Sequence, residues 1–157
     1  MNMNTPIKIA IYARQSLFDT VGISADAQIE ECKIAAERKF DNYLIEWKTY
    51  RDIHSPTNTD HLLFLTALEN DIRENKFNVI YIYDLSRIGY SATSIMQILG
   101  LLISNDIEFV ILRDEIDSYQ IDKTNLQLET IFNVGIAEEQ RKRELSAVSL
   151  DPLNSLL

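Results

Sequence analysis

The sequence predicts an α/β fold of three layers, a mainly parallel sheet with helices on both faces and a long C-terminal oligomerisation helix. Three observations carry this prediction. Strand-like and helix-like stretches alternate along the chain, and such alternation produces parallel strands joined by crossover helices. Residues 79–83, Val-Ile-Tyr-Ile-Tyr, form an unbroken β-branched and aromatic run, the pattern of a strand covered on both faces. Shortly after it, Ile95, Ile98, Leu99, Leu102 and Ile103 recur at helical spacing.

Taken in order, Ile7, Ile9, Ile11 and Tyr12 read as the first strand. Ser24 then caps a helix reaching about Phe40, with Ile29, Cys32 and Ala36 on one face, which places Cys32 in the core. Residues 43–50 alternate as a second strand, and the polar stretch 52–60, containing Pro56, reads as a loop. Leu65, Leu68 and Ile72 give the following helix its buried face. The third strand covers 79–83, the next helix starts near Ser91, and residues 108–112 form a fourth strand. The last helix opens on Thr124-Asn125-Leu126-Gln127, spaced as a capping box, and covers 124–144. Its apolar residues Leu126, Leu128, Ile131, Phe132, Val134 and Ile136 spread beyond one narrow stripe, so a second subunit is the expected cover for part of them. From Glu138 it turns charged, through Glu139, Gln140, Arg141, Lys142, Arg143 and Glu144, and should leave the core for solvent or a charged ligand. Pro152 ends the helical pattern, and one domain is expected over 1–150.

The chain has 157 residues and is 46% hydrophobic, enough for one buried core. Its 15 Lys and Arg against 24 Asp and Glu leave a net charge of -9, which repels a nucleic-acid backbone and confines any phosphate site to a local basic patch. Cys32 is the single cysteine, which excludes an intrachain disulfide. With only His54 and His61 beside it no metal cluster assembles at the usual spacings, and a reduced, cytoplasmic setting is expected. Residues 1–6 are polar, 7–12 are too short for a signal-peptide core, and 95–103 fall far short of the roughly 20 residues of a membrane span. A soluble protein without membrane contact is expected. Gly22, Gly89, Gly100 and Gly135 form no phosphate-cradling loop, which argues against a Rossmann or P-loop enzyme. No Ser and His or Cys and His pairing is readable from spacing.

Ligands of open α/β sheets bind beyond the carboxyl ends of the strands, so the residues after each strand are the first candidates. Arg14, Gln15 and Ser16 follow the first strand, and Asp84, Leu85, Ser86 and Arg87 follow the third. If these strands are neighbours, two guanidinium groups converge near one hydroxyl. Arginine suits phosphate because its planar fork donates paired charge-assisted hydrogen bonds, and a serine between two such groups could attack phosphorus. Taken singly, each residue fits better as a loop serine or as a solvated or ion-paired arginine.

The stretch Tyr12-Ala13-Arg14-Gln15-Ser16, followed by Ser24-Ala25-Asp26-Ala27-Gln28, resembles the resolvase and invertase family of serine site-specific recombinases. That family opens with a strand ending in Tyr-x-Arg-x-Ser and then a Ser and Gln that begin the first helix. Further matches are Tyr50-Arg51-Asp52, residues 79–83 leading to Arg87, residues 109–112 followed by Ile116-Asp117-Ser118, and a last helix entered through Leu126 and left through Glu139 and Arg141. The resemblance implies DNA strand cleavage and rejoining through a phosphoserine intermediate, with Ser16 as nucleophile. Arg14 and Arg87 would hold the scissile phosphate. Tyr12, Gln28 and Asp52 would orient the nucleophile loop and the arginines. Neither a nucleotide cofactor nor a metal is implied. The partners implied are DNA and a homodimer or tetramer formed through 124–144, in a prokaryotic cytoplasm and at the nucleoid when on DNA. Arg141, Lys142 and Arg143 would meet the DNA backbone, or would simply pair with the helix carboxyl end.

Four positions depart from the family pattern. Where Asp-Arg-Leu-x-Arg is usual, the chain has Ser86-Arg87-Ile88-Gly89-Tyr90, so a carboxylate and an arginine are replaced. His61 stands where another arginine is usual, and Gln140 where the family resemblance implies a basic residue. No DNA-binding domain is expected after Pro152. Two readings follow, an active recombinase domain or a catalytically degenerate relative that acts as a dimerisation or regulatory partner. A receiver-like or flavodoxin-like domain, allowed by Asp52 and Asp84 at strand ends, leaves the motif from Tyr12 to Ser16 unexplained.

Overall fold

The computed structural model describes residues 5–16, 22–54, 63–89 and 91–120. His61, Tyr90, Gln140, the expected helix over 124–144 with Arg141, Lys142 and Arg143, and Pro152 all lie outside the described residues.

The elements follow in the order β1 (Ile7–Ser16), α1 (Ala25–Lys39), β2 (Ile45–His54), α2 (Leu63–Arg73), β3 (Val79–Ile82), a 3-10 turn (Leu85–Arg87), α3 (Ala92–Ser104), β4 (Glu108–Ile111) and β5 (Ile116–Asp117). The strands form one sheet in the order β2-β1-β3-β4-β5. The first four are mutually parallel, and β5 runs antiparallel to β4.

Side-chain alternation along the strands builds the three layers. Ile7, Ile9 and Ile11 of β1 join Val79 and Tyr81 of β3 in a core closed by Cys32, Ala36 and Phe40 of α1. On the opposite face, Ala10, Tyr12, Ile80 and Ile82 pack under Leu68 and Ile72 of α2 and Ile98, Leu99 and Leu102 of α3. Where β1 and β3 are covered on both sides, over residues 9–13 and 79–82, every residue is apolar or aromatic. Each fully buried Ile contributes about 1.5–3 kcal/mol of apolar transfer. Ser24 caps α1 by accepting from the Ala27 amide at 3.2 Å, and Ser91 caps α3 through a reciprocal box with Ser94.

The structure departs from the sequence reading at three places. β1 runs on through Arg14 and Gln15 to Ser16, and β2 continues to His54, so Asp52 belongs to a strand rather than to the expected loop. The reason is pairing: Arg14 lies opposite Asp52 and Ser16 opposite His54, and the two ladders extend each other regardless of polarity. β5 was not expected. It is two residues long and carries no periodic signal; Glu115 reverses the chain in the left-handed region at φ 55°.

The chain leaves β1 toward β2 over the face covered by α1, then returns across β1 to β3 over the face covered by α2. The strand order therefore reverses between β1 and β3, which makes the carboxyl ends of these two strands the switch point at which open sheets bind ligands.

Candidate active site

The tip of β1 lies at that switch point, and three buried polar side chains hold it. Gln28, fully buried on α1, accepts from the Arg14 amide at 3.2 Å and donates through Nε2 to the Arg14 carbonyl at 2.9 Å and the Ile23 carbonyl at 3.0 Å. This side chain satisfies both backbone groups of Arg14, as buried polar backbone requires. Tyr12 donates its hydroxyl to Asp52 Oδ2 at 2.9 Å. The same carboxylate accepts from the amides of Phe64 at 3.1 Å and Leu65 at 2.9 Å. These amides lie in the first turn of α2, where no intrahelical acceptor exists and the helix dipole favours an anion. Asp52 therefore ties β1, β2 and α2 together from one point.

Gln15 accepts from the Ala25 amide at 3.0 Å and so fastens β1 to the start of α1. Ser16 is half-buried at the end of the strand. Tyr12, Arg14, Gln28 and Asp52 are all buried, while the strand becomes half-buried at Gln15 and Ser16.

The segment after β3 meets this tip through arginine. Arg14 donates Nη2 to the carbonyls of Ser86 and, at 3.4 Å, Gly89. In return, Arg87 donates Nη1 to the carbonyl of Arg14 at 3.1 Å. The two arginines do converge, as neighbouring strands β1 and β3 require, but each guanidinium clasps the backbone beside the other. Arg87 also donates Nε to Asp84 Oδ2 at 3.2 Å, and the Ser86 hydroxyl donates to Asp84 Oδ1. The Leu85 amide donates to Asp114 Oδ2 at 2.8 Å, and burial raises the Asp114 carboxyl above the ordinary carboxylate range. A Cβ added at Gly89 would lie 2.5 Å from Ser94 Oγ and 2.8 Å from the Ile95 amide nitrogen, so this turn packs against α3 only with glycine.

All six residues expected to form the site thus stand at one end of the sheet. Gln15 and Asp84, which also follow strands in the sequence, join them; Asp114 and Gly89 are additions. The i, i+3 spacing of Asp84 and Arg87 was a local signal for that pair; Asp114 reaches Leu85 from 29 positions away and left none. Among the described residues, no three His, Cys, Asp or Glu side chains are grouped to hold a metal ion. No described helix is long and apolar enough to cross a membrane.

Comparison with solved structures places this fold among recombinase domains. The N-terminal catalytic domain of TP901-1 integrase superposes with a TM-score of 0.60 at 24% identity, covering 87% of this chain and 98% of that one. A resolvase family site-specific recombinase from Streptococcus pneumoniae gives 0.59 at 19% identity, covering 96% of this chain and 98% of that one. The C-terminal catalytic domain of ISC1926 TnpA, an IS607-like serine recombinase, gives 0.54 at 23% identity over 67% of this chain and 70% of that one. No curated protein matches. The model of the resolvase N-terminal domain matches residues 9–147, from the second turn of side chains in β1 to beyond the last described strand, and the chain belongs to the resolvase family.

Proposed function

We propose that the chain is the catalytic domain of a serine site-specific recombinase, spanning 1–150, which cleaves and rejoins DNA through Ser16. The observation that carries this reading is the convergence of Arg14 and Arg87 at the switch point, beside the strand that ends at Ser16. Ser16 Oγ attacks the scissile phosphorus and displaces a deoxyribose oxygen, giving a phosphoserine ester and a free hydroxyl. The proton that Ser16 loses is matched by the one that the leaving oxygen gains. Attack by the hydroxyl of an exchanged end reverses the step, so the number of phosphoester bonds is conserved and no nucleotide is consumed. The guanidinium groups oppose the charge that builds on the phosphate oxygens. Tyr12, Asp52 and Gln28 contribute by fixing the strand that presents them. Assembly as a dimer or tetramer through 124–144, and contact of Arg141, Lys142 and Arg143 with the DNA backbone, complete the proposal.

One observation favours the second reading, a degenerate relative acting as a partner or regulator. Arg14 is only 7% exposed and its Nη2 is engaged by backbone carbonyls, so a phosphate would have to compete for it. The test is a fusion of the whole chain to a DNA-binding domain of known specificity, because the net charge of -9 opposes DNA binding without targeting. Covalent protein–DNA adducts on paired sites are expected, and none with Ser16→Ala. Adducts seen only after His61→Arg, Ser86→Asp and Tyr90→Arg would establish the degenerate reading instead.

A further inference from the structure

We infer that Asp84 is a positioning residue for Arg87, supplying from two residues earlier the carboxylate that Ser86 replaces. This rests on the recombinase reading of the site. The residue immediately before Arg87 is a serine, yet the Arg87 guanidinium does not lack an acidic partner. Asp84 lies at i-3, one 3-10 turn back, and its Oδ2 accepts from Arg87 Nε at 3.2 Å. The Ser86 hydroxyl donates to the other oxygen, Oδ1, and so stops the carboxylate from rotating away. Serine at position 86 is thus part of the exchange: a carboxylate there would face Asp84 across the same short turn, with like charges in contact. The two side chains form one unit.

The geometry of Arg87 shows what this unit does. Nε is held by Asp84 and Nη1 by the Arg14 carbonyl, at 3.2 and 3.1 Å. A planar guanidinium fixed at two of its three nitrogens has no rotational freedom left. Nη2 makes no hydrogen bond within the described residues and is the donor left for a phosphate oxygen. The pair is largely covered, with Arg87 17% and Asp84 21% exposed at their side chains. Preorganisation of this kind acts on the rate, because a donor misplaced by about 1 Å can cost on the order of a hundredfold.

Charge alone predicts the opposite effect of removing Asp84. Loss of a carboxylate beside a phosphate site strengthens phosphate attraction, whereas loss of a positioning group slows the reaction. The full chain, fused as above, is assayed for covalent adducts with Asp84→Ala and with Asp84→Ala combined with Ser86→Asp. The single variant is expected to form adducts at least tenfold more slowly, with its melting midpoint within about 2 °C of the parent, since a partly exposed pair contributes little stability. Moving the carboxylate to position 86 is expected to restore the rate to within about threefold. In an Arg87→Ala background, Asp84→Ala should add nothing. Parental rates in Asp84→Ala, or a further loss in the Arg87→Ala background, would overturn the inference.

A second readout is independent of activity. In the unfused full chain, the Arg87 Nε–H resonance is expected to exchange slowly with solvent and to lose that protection in Asp84→Ala but not in Ser16→Ala. Unchanged protection in Asp84→Ala refutes the pairing. If the parent forms no adducts, the recombinase reading falls, and this resonance alone decides whether Asp84 holds Arg87.

Discussion

Replacing Asp52 by alanine should destabilise the fold as a whole rather than disturb a local surface. Its carboxylate accepts three hydrogen bonds, from the Tyr12 hydroxyl and the amides of Phe64 and Leu65, and it is 5% exposed. Asp52→Ala removes the acceptor at 2.9 Å from a fully buried Tyr12 hydroxyl, a cost of about 1–3 kcal/mol. Loss of the cap on α2 adds about 1–2 kcal/mol. The total of about 2–5 kcal/mol corresponds to roughly 5–15 °C in melting midpoint for a domain of this size. Tyr12→Phe removes one donor and leaves Asp52 its two amides, so about 1 kcal/mol is expected. On the Asp52→Ala background the same change should cost less than in the parent, because the hydrogen bond it removes is already gone. Urea and thermal unfolding of the four proteins, followed by far-ultraviolet circular dichroism, provide the cycle. An Asp52→Ala midpoint within about 2 °C of the parent, or equal effects of Tyr12→Phe in both backgrounds, would refute the reasoning.

Gly89→Ala should cost at least about 2 kcal/mol, because its Cβ would meet the Ile95 amide nitrogen at 2.8 Å and backbone cannot yield as a side chain can; a thermal melt unchanged to within about 1 °C would contradict this. Cys32 is buried against β1 and β3, and its thiol is pushed up to about 12 by burial and by nearby Glu31 and Asp84. It should resist maleimide at pH 8 in the native chain and react promptly in urea; rapid native labelling would show that α1 opens. Asp114 has a folded pKa above its ordinary 3.8, caused first by burial, so the protonated form favours the fold. The contribution of this group is therefore fully present below pH 3.8 and is lost as pH rises through the raised value. Asp114→Asn keeps an oxygen for the Leu85 amide and removes that loss. Relative to the parent it should gain stability between pH 3.5 and pH 7 in urea titrations, and a relative loss over that interval would reverse the assignment.

Much of the fold was legible because it depends on patterns with short periods. The runs in β1 and β3 announced strands covered on both faces, and the spacing of Ile95, Ile98, Leu99 and Leu102 announced α3; these residues are buried as expected. Capping by Ser24 and Ser91 was equally local. Placing residues relative to strand ends led to Arg14, Ser16 and Arg87, whereas Tyr12, Gln28 and Asp52 were reached only through the family resemblance; all six stand at one end of the sheet.

The failures have a different physical character. The continuation of β1 and β2 to Ser16 and His54 depends on each strand finding the other, and β5 exists only because β4 offers it an edge. Composition at residues 52–54 argued for a loop, and pairing across the sheet overrode it. The sequence by itself determined which segments form helices and strands and which residues stand at their ends, because propensity, capping and apolar periodicity act over a few neighbouring positions. Only the tertiary structure decided what those residues do to one another. The clasp between Arg14 and Arg87, the Asp52 cap on a helix that begins 11 residues later and the Asp84 hold on Arg87 are hydrogen bonds whose partners are chosen by packing, and packing has no period along the chain.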